Sequence, residues 1–397
     1  MLNQTDSLQA DRLMTHLDVL CNQIGARPTG TRAEFRAAEY VTQVLDSLNV
    51  SDVRSQSFRT PHSYGWATIP FTLAAALSTP VGTGGRFGKL IGGLALLSSV
   101  LNLRSFMIGK APLYQPVVQT GQSQNIIAHI PPSGETRQMV FIVAHLDSNK
   151  QRFMLPQVAP SLTKPLNTLA LLLGGLGGTS MLIDALRGHK RVSALQGAAS
   201  AVALLAAVGL IIDEMQPYIE GANDDASGIA VALGIADALR AQPLEHTEVT
   251  LLFTGSEETG CTGIEAYLNQ YAPPLDDTYF INLDMVGAGD LCYVSEHGVS
   301  HLSTYRPTPQ LTALAAKIAR ENAAFHVTGR SLTTLDAVAP LVRRGYEAIG
   351  IAGYDETGSL PNWHRTSDTL DKIEPDKLVQ AARYTHEMIK TLDERIQ

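Results

Sequence analysis

The chain has 397 residues, of which 17% are charged and 45% apolar, and a net charge of −8 at neutral pH. An acidic chain without a basic cluster is a poor tracker of phosphates, so nucleic acid is set aside as a partner. The three cysteines, Cys21, Cys261 and Cys292, are odd in number and far apart, which excludes a disulfide framework and a thiolate zinc site.

The length fits two domains or one α/β domain with insertions. The amino terminus lacks a basic region followed by an apolar run, so no cleavable signal is expected. With the lone cysteines this leans towards a cytoplasmic or cytoplasm-facing protein. Residues 7–23 and 33–48 read as amphipathic helices around a turn at 24–31. Short β-rich runs follow at 53–58, 125–130, 139–146, 248–253, 279–283, 292–294 and 348–351. Helical patterns alternate with them at about 226–240, 260–271, 308–322, 332–344 and 375–393. Apolar strands alternating with helices predict an α/β fold whose sheet is covered on both faces.

Two stretches break the alternation. Residues 63–109 hold one apolar run interrupted by Pro70 and Pro80 and a second, of fourteen residues, at 90–103. Residues 165–212 hold uncharged runs of nineteen and twenty-one residues around Arg187-Gly188-His189-Lys190-Arg191. The latter pair is long enough to span a bilayer, which needs about 20 apolar residues per helix. Gly174 and Gly178, then Ala199, Ala203 and Ala207, recur at a spacing that lets helices approach closely. The run at 90–103 suits an interfacial or core helix. The second hairpin is read as contacting lipid, with a lid or a homo-oligomer interface as the alternative. Basic residues at the tips and bases balance, so charge does not set an orientation.

Five segments carry the chemistry: Ala144-His145-Leu146-Asp147-Ser148, 221–228, Gly255-Ser256-Glu257-Glu258-Thr259, Asn282-Leu283-Asp284-Met285 and Asn362-Trp363-His364-Arg365-Thr366. Most lie where a strand run stops, which is where α/β folds gather their chemistry. His145 and Asp147 are two apart at a strand end and share a face, and Asp147 is placed to receive the imidazole's other N–H. Asn223-Asp224-Asp225 exceeds what a helix cap needs, so one acid is free to bridge cations. Adjacent Glu257 and Glu258 repel unless a positive charge lies beside them. Asp284 ends an apolar strand and needs a partner. His62, His189, His246 and His297 lack an acidic constellation in sequence and are read as structural or solvated.

Taken in order, these segments closely resemble peptidase family M28, the co-catalytic zinc aminopeptidases. The pattern reads His145-Leu146-Asp147-Ser148, then 221–228, then Glu257-Glu258, then Leu283-Asp284-Met285, then His364-Arg365-Thr366-Ser367-Asp368-Thr369. The resemblance covers residues 7–60, 124–150 and 220–393. It implies a three-layer sandwich with a mixed central sheet, the peptidase part formed by 1–62, 111–164 and 213–397, and apolar hairpins inserted at 63–110 and 165–212. It further implies two zinc ions per chain and a peptide substrate cut from its amino end. His145 and Asp284 would bind one zinc, Glu258 and His364 the other, and Asp224 would bridge. Glu257 would be the general base and Asp147 the supporting carboxylate.

Two departures matter. In the segment 332–337, where some relatives carry an oxyanion-stabilising Tyr or His, only Asp336 matches an acid and no Tyr sits beside it; His326 is a weak substitute. The insertion between Asp147 and Asp224 must also begin and end near the site's rim. Glutaminyl cyclisation with one zinc is a competing reaction on the same fold, and a non-catalytic receptor or scaffold is a third reading. Carboxypeptidase or dipeptidase action stays open.

Overall fold

The computed structural model describes residues 8–110, 115–118, 120–153, 160–189 and 191–396. Lys190 and the first six residues, which entered the sequence reading, lie outside them. The chain opens with α1 (Ala10–Asp18), a π-type turn at Val19–Ile24, α2 (Arg32–Ser47) and β1 (Ser51–Thr60). Three helices follow: α3 (Tyr64–Ala76), α4 (Ser78–Gly82) and α5 (Gly85–Met107). After the short α6 (Gln115–Val118) come β2 (Gly121–Ile130) and β3 (Gln138–His145), then α7 (Pro160–Arg187) and α8 (Ala194–Glu214). The remainder alternates: α9 (Ser227–Ala241), β4 (Thr247–Thr254), α10 (Thr262–Gln270), β5 (Thr278–Leu283), β6 (Asp290–Glu296), α11 (Pro309–Glu321), β7 (Thr328–Ser331), α12 (Val338–Arg343), β8 (Glu347–Tyr354) and α13 (Pro375–Glu394).

The eight strands form one mixed sheet in the order β1-β2-β4-β3-β5-β8-β6-β7. Its centre, β4-β3-β5-β8, is parallel, and its strands are buried on both faces, as their unbroken apolar runs require. One face packs on α1, α2, α9, α11 and α13 through residues such as Val41, Ile229, Leu233, Tyr384 and Met388. The other packs on α10 and α12, with Phe141 stacked on Phe280 at 4.4 Å and Tyr267 against the edge of Phe141. The expected three-layer α/β sandwich with a mixed sheet is therefore present. Strand β7 has too little apolar character to be visible in the sequence. The pattern at 332–344 yields only the short α12; the preceding residues form an extended loop that places Asp336 under the sheet.

The two apolar stretches do not stay separate. Helix α5 packs on α7, α3 on α8, and α7 on α8, so that 64–107 and 160–214 make one bundle. Helix α5 runs 23 residues, well beyond the fourteen-residue apolar run, because Lys89 is neutralised inside the bundle. Its Nζ lies 2.9 Å from Asp184 Oδ2 and 2.6 Å from the Arg191 carbonyl. Small residues set the helix spacing: a Cβ on Gly93 would sit 2.9 Å from the Gly178 carbonyl oxygen, and one on Gly178 3.0 Å from that of Gly93. Close backbone approach of this kind is a common device between membrane helices. Helices 85–107, 161–187 and 194–214 are each long and apolar enough to cross a membrane. At about 1.5 Å per residue, the 21 residues of α8 match a hydrocarbon core of about 30 Å. Leucines 90, 94, 172, 176, 204 and 205 project outward and are exposed.

The bundle is tied to the sandwich at one end. Tyr64 stacks on Phe106 at 3.9 Å, and Asn167 donates to the Val299 carbonyl at 2.9 Å. Glu214, at the end of α8, accepts from the Gly65 N–H at 3.1 Å and pairs with Lys150 at 3.0 Å and Arg152 at 2.8 Å.

Candidate metal centre

Parallel β3, β4 and β5 end at one edge of the sheet, and this brings the sequence segments together. His145 is the last residue of β3, Glu257 and Glu258 lie on the turn after β4, and Asp284 follows β5 directly. Asp224 comes from the turn that starts α9, and His364 from the loop between β8 and α13. His145 Nε2 is 3.1 Å from Asp224 Oδ1 and 4.0 Å from Asp284 Oδ1. His364 Nε2 is 3.4 Å from the other Asp224 oxygen and 3.3 Å from Glu258 Oε2. Two donor groups result, His145/Asp224/Asp284 and Asp224/Glu258/His364, each with its donor atoms within 4.8 Å of one another. Asp224 belongs to both.

The supporting contacts are as specific. Asp147, fully buried, accepts from Thr29 Oγ1 at 2.6 Å and from the N–H groups of Glu257 at 3.0 Å and Glu258 at 3.2 Å. It therefore fixes the turn that presents both glutamates. Its carboxylate stands 3.6 Å from His145 Nδ1, which lies closer, at 3.0 Å, to the Asp147 carbonyl oxygen. Glycine at 228 is obligatory: a Cβ there would sit 2.5 Å from the Asp225 carboxylate and 2.7 Å from the Leu283 carbonyl.

Several contributors were not singled out in the sequence. Asp225 accepts from the N–H groups of His145, Gly228 and Met285, lacing β3, α9 and the end of β5 together. Asp368 accepts from the N–H groups of Asn223 and Asp224 at 2.7 and 3.1 Å. Asn149 donates to Glu258 Oε2 at 2.5 Å and lies 3.1 Å from His364 Nε2. The Cys261 thiol donates to Glu257 Oε1 at 3.1 Å. Arg27 is fully buried and donates to the carbonyls of Leu146, Glu220 and Gly221, clamping two site segments. Asp225, Asp368 and Asn149 sit inside the quoted motifs, so their acid or amide character was the available signal. Arg27 and Cys261 carried none.

The electrostatics call for added positive charge. Burial, with Glu258 and Asp147 close by, drives the Glu257 carboxyl well above its ordinary range, although His145 acts the other way. Burial and the charges of Asp225 and Asp224 do the same to Asp284. Burial pushes Asp225 and Asp368 up to about 7, each with Asp224 adding to the effect. Burial disfavours a charged His145, but Asp147 and Asp224 outweigh it and hold the imidazole well above its usual value. Asp224 Oδ2 and Glu258 Oε1 are buried and accept no hydrogen bond. Crowded carboxylates with unused lone pairs, joined by two imidazoles, suit zinc or a similar divalent cation.

Three histidines read as lacking acids do have them, His246 standing 3.6 Å from Glu245. His297 is fully buried, 3.0 Å from Asp336 Oδ2 and stacked on Tyr305 at 4.8 Å. His189 lies 3.0 Å from Asp184. For His297 folding supplies a partner that the linear sequence does not place alongside, whereas Asp184 is a near neighbour of His189 in the chain. Asp336 likewise gains a tyrosine from another segment, since the Tyr305 hydroxyl donates to it at 3.2 Å. His326 ends the helical turn before edge strand β7 and belongs to neither donor group.

The model of peptidase family M28 matches residues 195–389, a span that holds Asp224, Glu257, Glu258, Asp284 and His364. No curated protein matches the sequence. Among solved structures, a zinc aminopeptidase from Bacillus subtilis superposes with a TM-score of 0.60 at 15% identity, covering 97% of this chain and 95% of that one. A Zn-dependent exopeptidase from Parabacteroides distasonis gives 0.58 at 16%, covering 96% and 98%. A glutaminyl cyclase from Tannerella forsythia gives 0.56 at 15%, again covering 96% and 98%. At these identities the likeness speaks for the fold.

Proposed function

We propose, for a chain that belongs to peptidase family M28, a dizinc exopeptidase that removes amino-terminal residues from peptides at a membrane surface. The observation that carries this reading is the pair of histidine–carboxylate groups sharing Asp224, with Glu257 beside them. In it, His145, Asp224 and Asp284 hold one zinc, and Asp224, Glu258 and His364 the other. Bound zinc polarises the scissile carbonyl and acidifies water. Glu257 takes the attacking water's proton on its carboxylate and returns it to the leaving amine nitrogen. The Cys261 thiol holds one Glu257 oxygen, which orients the other for that transfer. Asp147 keeps the Glu257–Glu258 turn in place through its two backbone bonds.

The bundle is the membrane anchor in this reading, supported by its outward leucines and by the length of three of its helices. Its ends meet the sandwich on one side, so the catalytic parts stay together. We place that side in the cytoplasm, in keeping with three buried free thiols. Glutaminyl cyclisation is the second reading, favoured by the likeness to cyclase structures; a one-zinc reaction would leave the second donor group without a task.

Zinc reconstitution followed by elemental analysis should return two metals per chain, and less than one would reject the proposal. A panel of fluorogenic aminoacyl, acyl-peptide and N-terminal Gln substrates separates hydrolysis from cyclisation. Recovery of active, monodisperse protein without detergent after membrane fractionation would sink the anchor and favour an oligomer interface.

A further inference from the structure

The candidate centre does not open only to water. A cavity of about 320 Å³ begins at Asn149, Glu257, Glu258 and His364 and continues between the helices of the bundle. Its far wall takes Phe71 from α3, Val100 from α5, Gly174 from α7 and Ala203 from α8. Small residues keep it open: a Cβ on Gly174 would meet Val100 at 2.5 Å. Three polar side chains of its wall bond within their own helices, and Asn167 donates to the Val299 carbonyl. Thr68 donates to the Tyr64 carbonyl at 2.8 Å, Thr72 to that of Thr68 at 3.1 Å, and Asn102 to that of Ser98 at 2.8 Å. The wall between the helices is mostly apolar. The volume is within the range of small-molecule sites, about 300–1,000 Å³, and the outer surface of the same helices is leucine-rich.

We propose that the substrate is an amphiphilic amide: its amide group reaches Glu257, and a hydrocarbon chain attached beside that amide fills the cavity between the four helices. This rests on the hydrolase reading above and specifies its substrate class. The reaction is amide hydrolysis. The oxygen of water bonds to the carbonyl carbon, the C–N bond breaks, and the proton held by Glu257 leaves on the amine. A short polar peptide has nothing to place in such a cavity. A membrane amphiphile gains from it the burial of each methylene.

The test uses the zinc-loaded full chain in lipid nanodiscs and two homologous series, L-alanyl-n-alkylamides and N-acyl-L-alanines, from two to twelve carbons. In one series kcat/KM should rise about threefold per methylene until the cavity is full. Ala203→Phe and Ala170→Leu, both at residues that line the cavity, should fill it and lower the ratio of long-chain to short-chain kcat/KM at least tenfold. Having two variants guards against one that fails to fold. Flat series alongside hydrolysis of a short aminoacyl amide would overturn the chain cavity and leave the peptidase reading standing. If no amide is hydrolysed, the peptidase reading fails. Calorimetric titration of the same amides into Glu257→Gln then judges the cavity: chain-length-dependent binding that Ala203→Phe abolishes supports it, and length-independent binding overturns it.

Discussion

The sandwich and the cavity wall of the bundle satisfy their buried polar groups in different ways. In the sandwich the bonds are long-range. Arg27 reaches Glu220 and Gly221, Asp147 reaches Thr29 and the Glu257–Glu258 turn, and Asp225 joins three elements. In the bundle Thr68, Thr72 and Asn102 bond within their own helices, interhelical polar bonds gather away from the cavity at Ser78–Ser200 and Lys89–Asp184, and small residues set how closely helices meet. Long-range polar bonds fix atoms to a fraction of an ångström, as a reaction centre needs. Locally satisfied side chains instead leave an apolar exterior and an apolar cavity wall, which suits contact with hydrocarbon.

The sharpest break between the two regions is at Glu257. Glu257→Gln should keep both metals and lose about 10²–10⁴ in turnover, while Glu258→Gln should lose metal; stopped assays paired with zinc analysis read both. If the two variants behave alike, the division of roles is wrong. Next is Asp224→Asn, expected to release more zinc than His145→Ala or His364→Ala, because its two oxygens face different donor groups.

The junction comes third. Glu214 pairs with Lys150 and Arg152, and Arg152 also bonds Asn149 and the His364 carbonyl. Glu214→Ala leaves two largely buried cations uncompensated, with a cost of about 3–5 kcal/mol. A lower melting temperature together with weaker zinc retention is expected; a drop in one alone would mean that the regions are independent. Within the bundle, Gly178→Leu should cost about 1–3 kcal/mol through overpacking against α5, visible as faster proteolysis of the hairpins with zinc content unchanged.

The smallest effect lies far from both. Burial holds His16, bonded to Tyr40 at 2.7 Å, down at about 4, against the pull of Asp237. A depressed folded-state pKa means that the stabilisation is full above about 6.5 and is lost as pH falls towards 4. For this half-buried ring the loss is about 2 kcal/mol. The melting temperature of His16→Gln should fall less steeply over that window than that of the parent.

The candidate donors His145, Glu258 and Asp284 were legible because they sit at or just beyond strand ends beside small or turn-forming residues, and strand ends are visible as the stopping points of apolar runs; Asp224 and His364 lie on loops and were picked out by their motifs. The sandwich was legible for the same reason. What hid was anything set by contact between distant segments. Asp336 and Tyr305 are 31 positions apart, so the missing tyrosine could not be found by looking beside the acid. The extent of α5 was hidden because Lys89 reads as polar until Asp184 is known to lie next to it. That two hairpins form one bundle depends on Gly93 meeting Gly178, a pairing that either stretch alone cannot announce.

The place of the two helix pairs in the chain also fixes an order of birth. Strand β1 precedes the first pair and its partner β2 follows it, with Thr60 opposite Gly121. His145 precedes the second pair and Asp224 follows it, yet they stand 3.1 Å apart. Strand β4, which separates β2 from β3, is made after both pairs. A ribosome therefore delivers every bundle helix before the strand that unites the sheet. The unfinished chain, ending at α8, holds three of the eight strands, with open edges that are hazards for mispairing, and only His145 of the candidate donor residues. The reaction centre comes into existence only once the last apolar helix has left the ribosome.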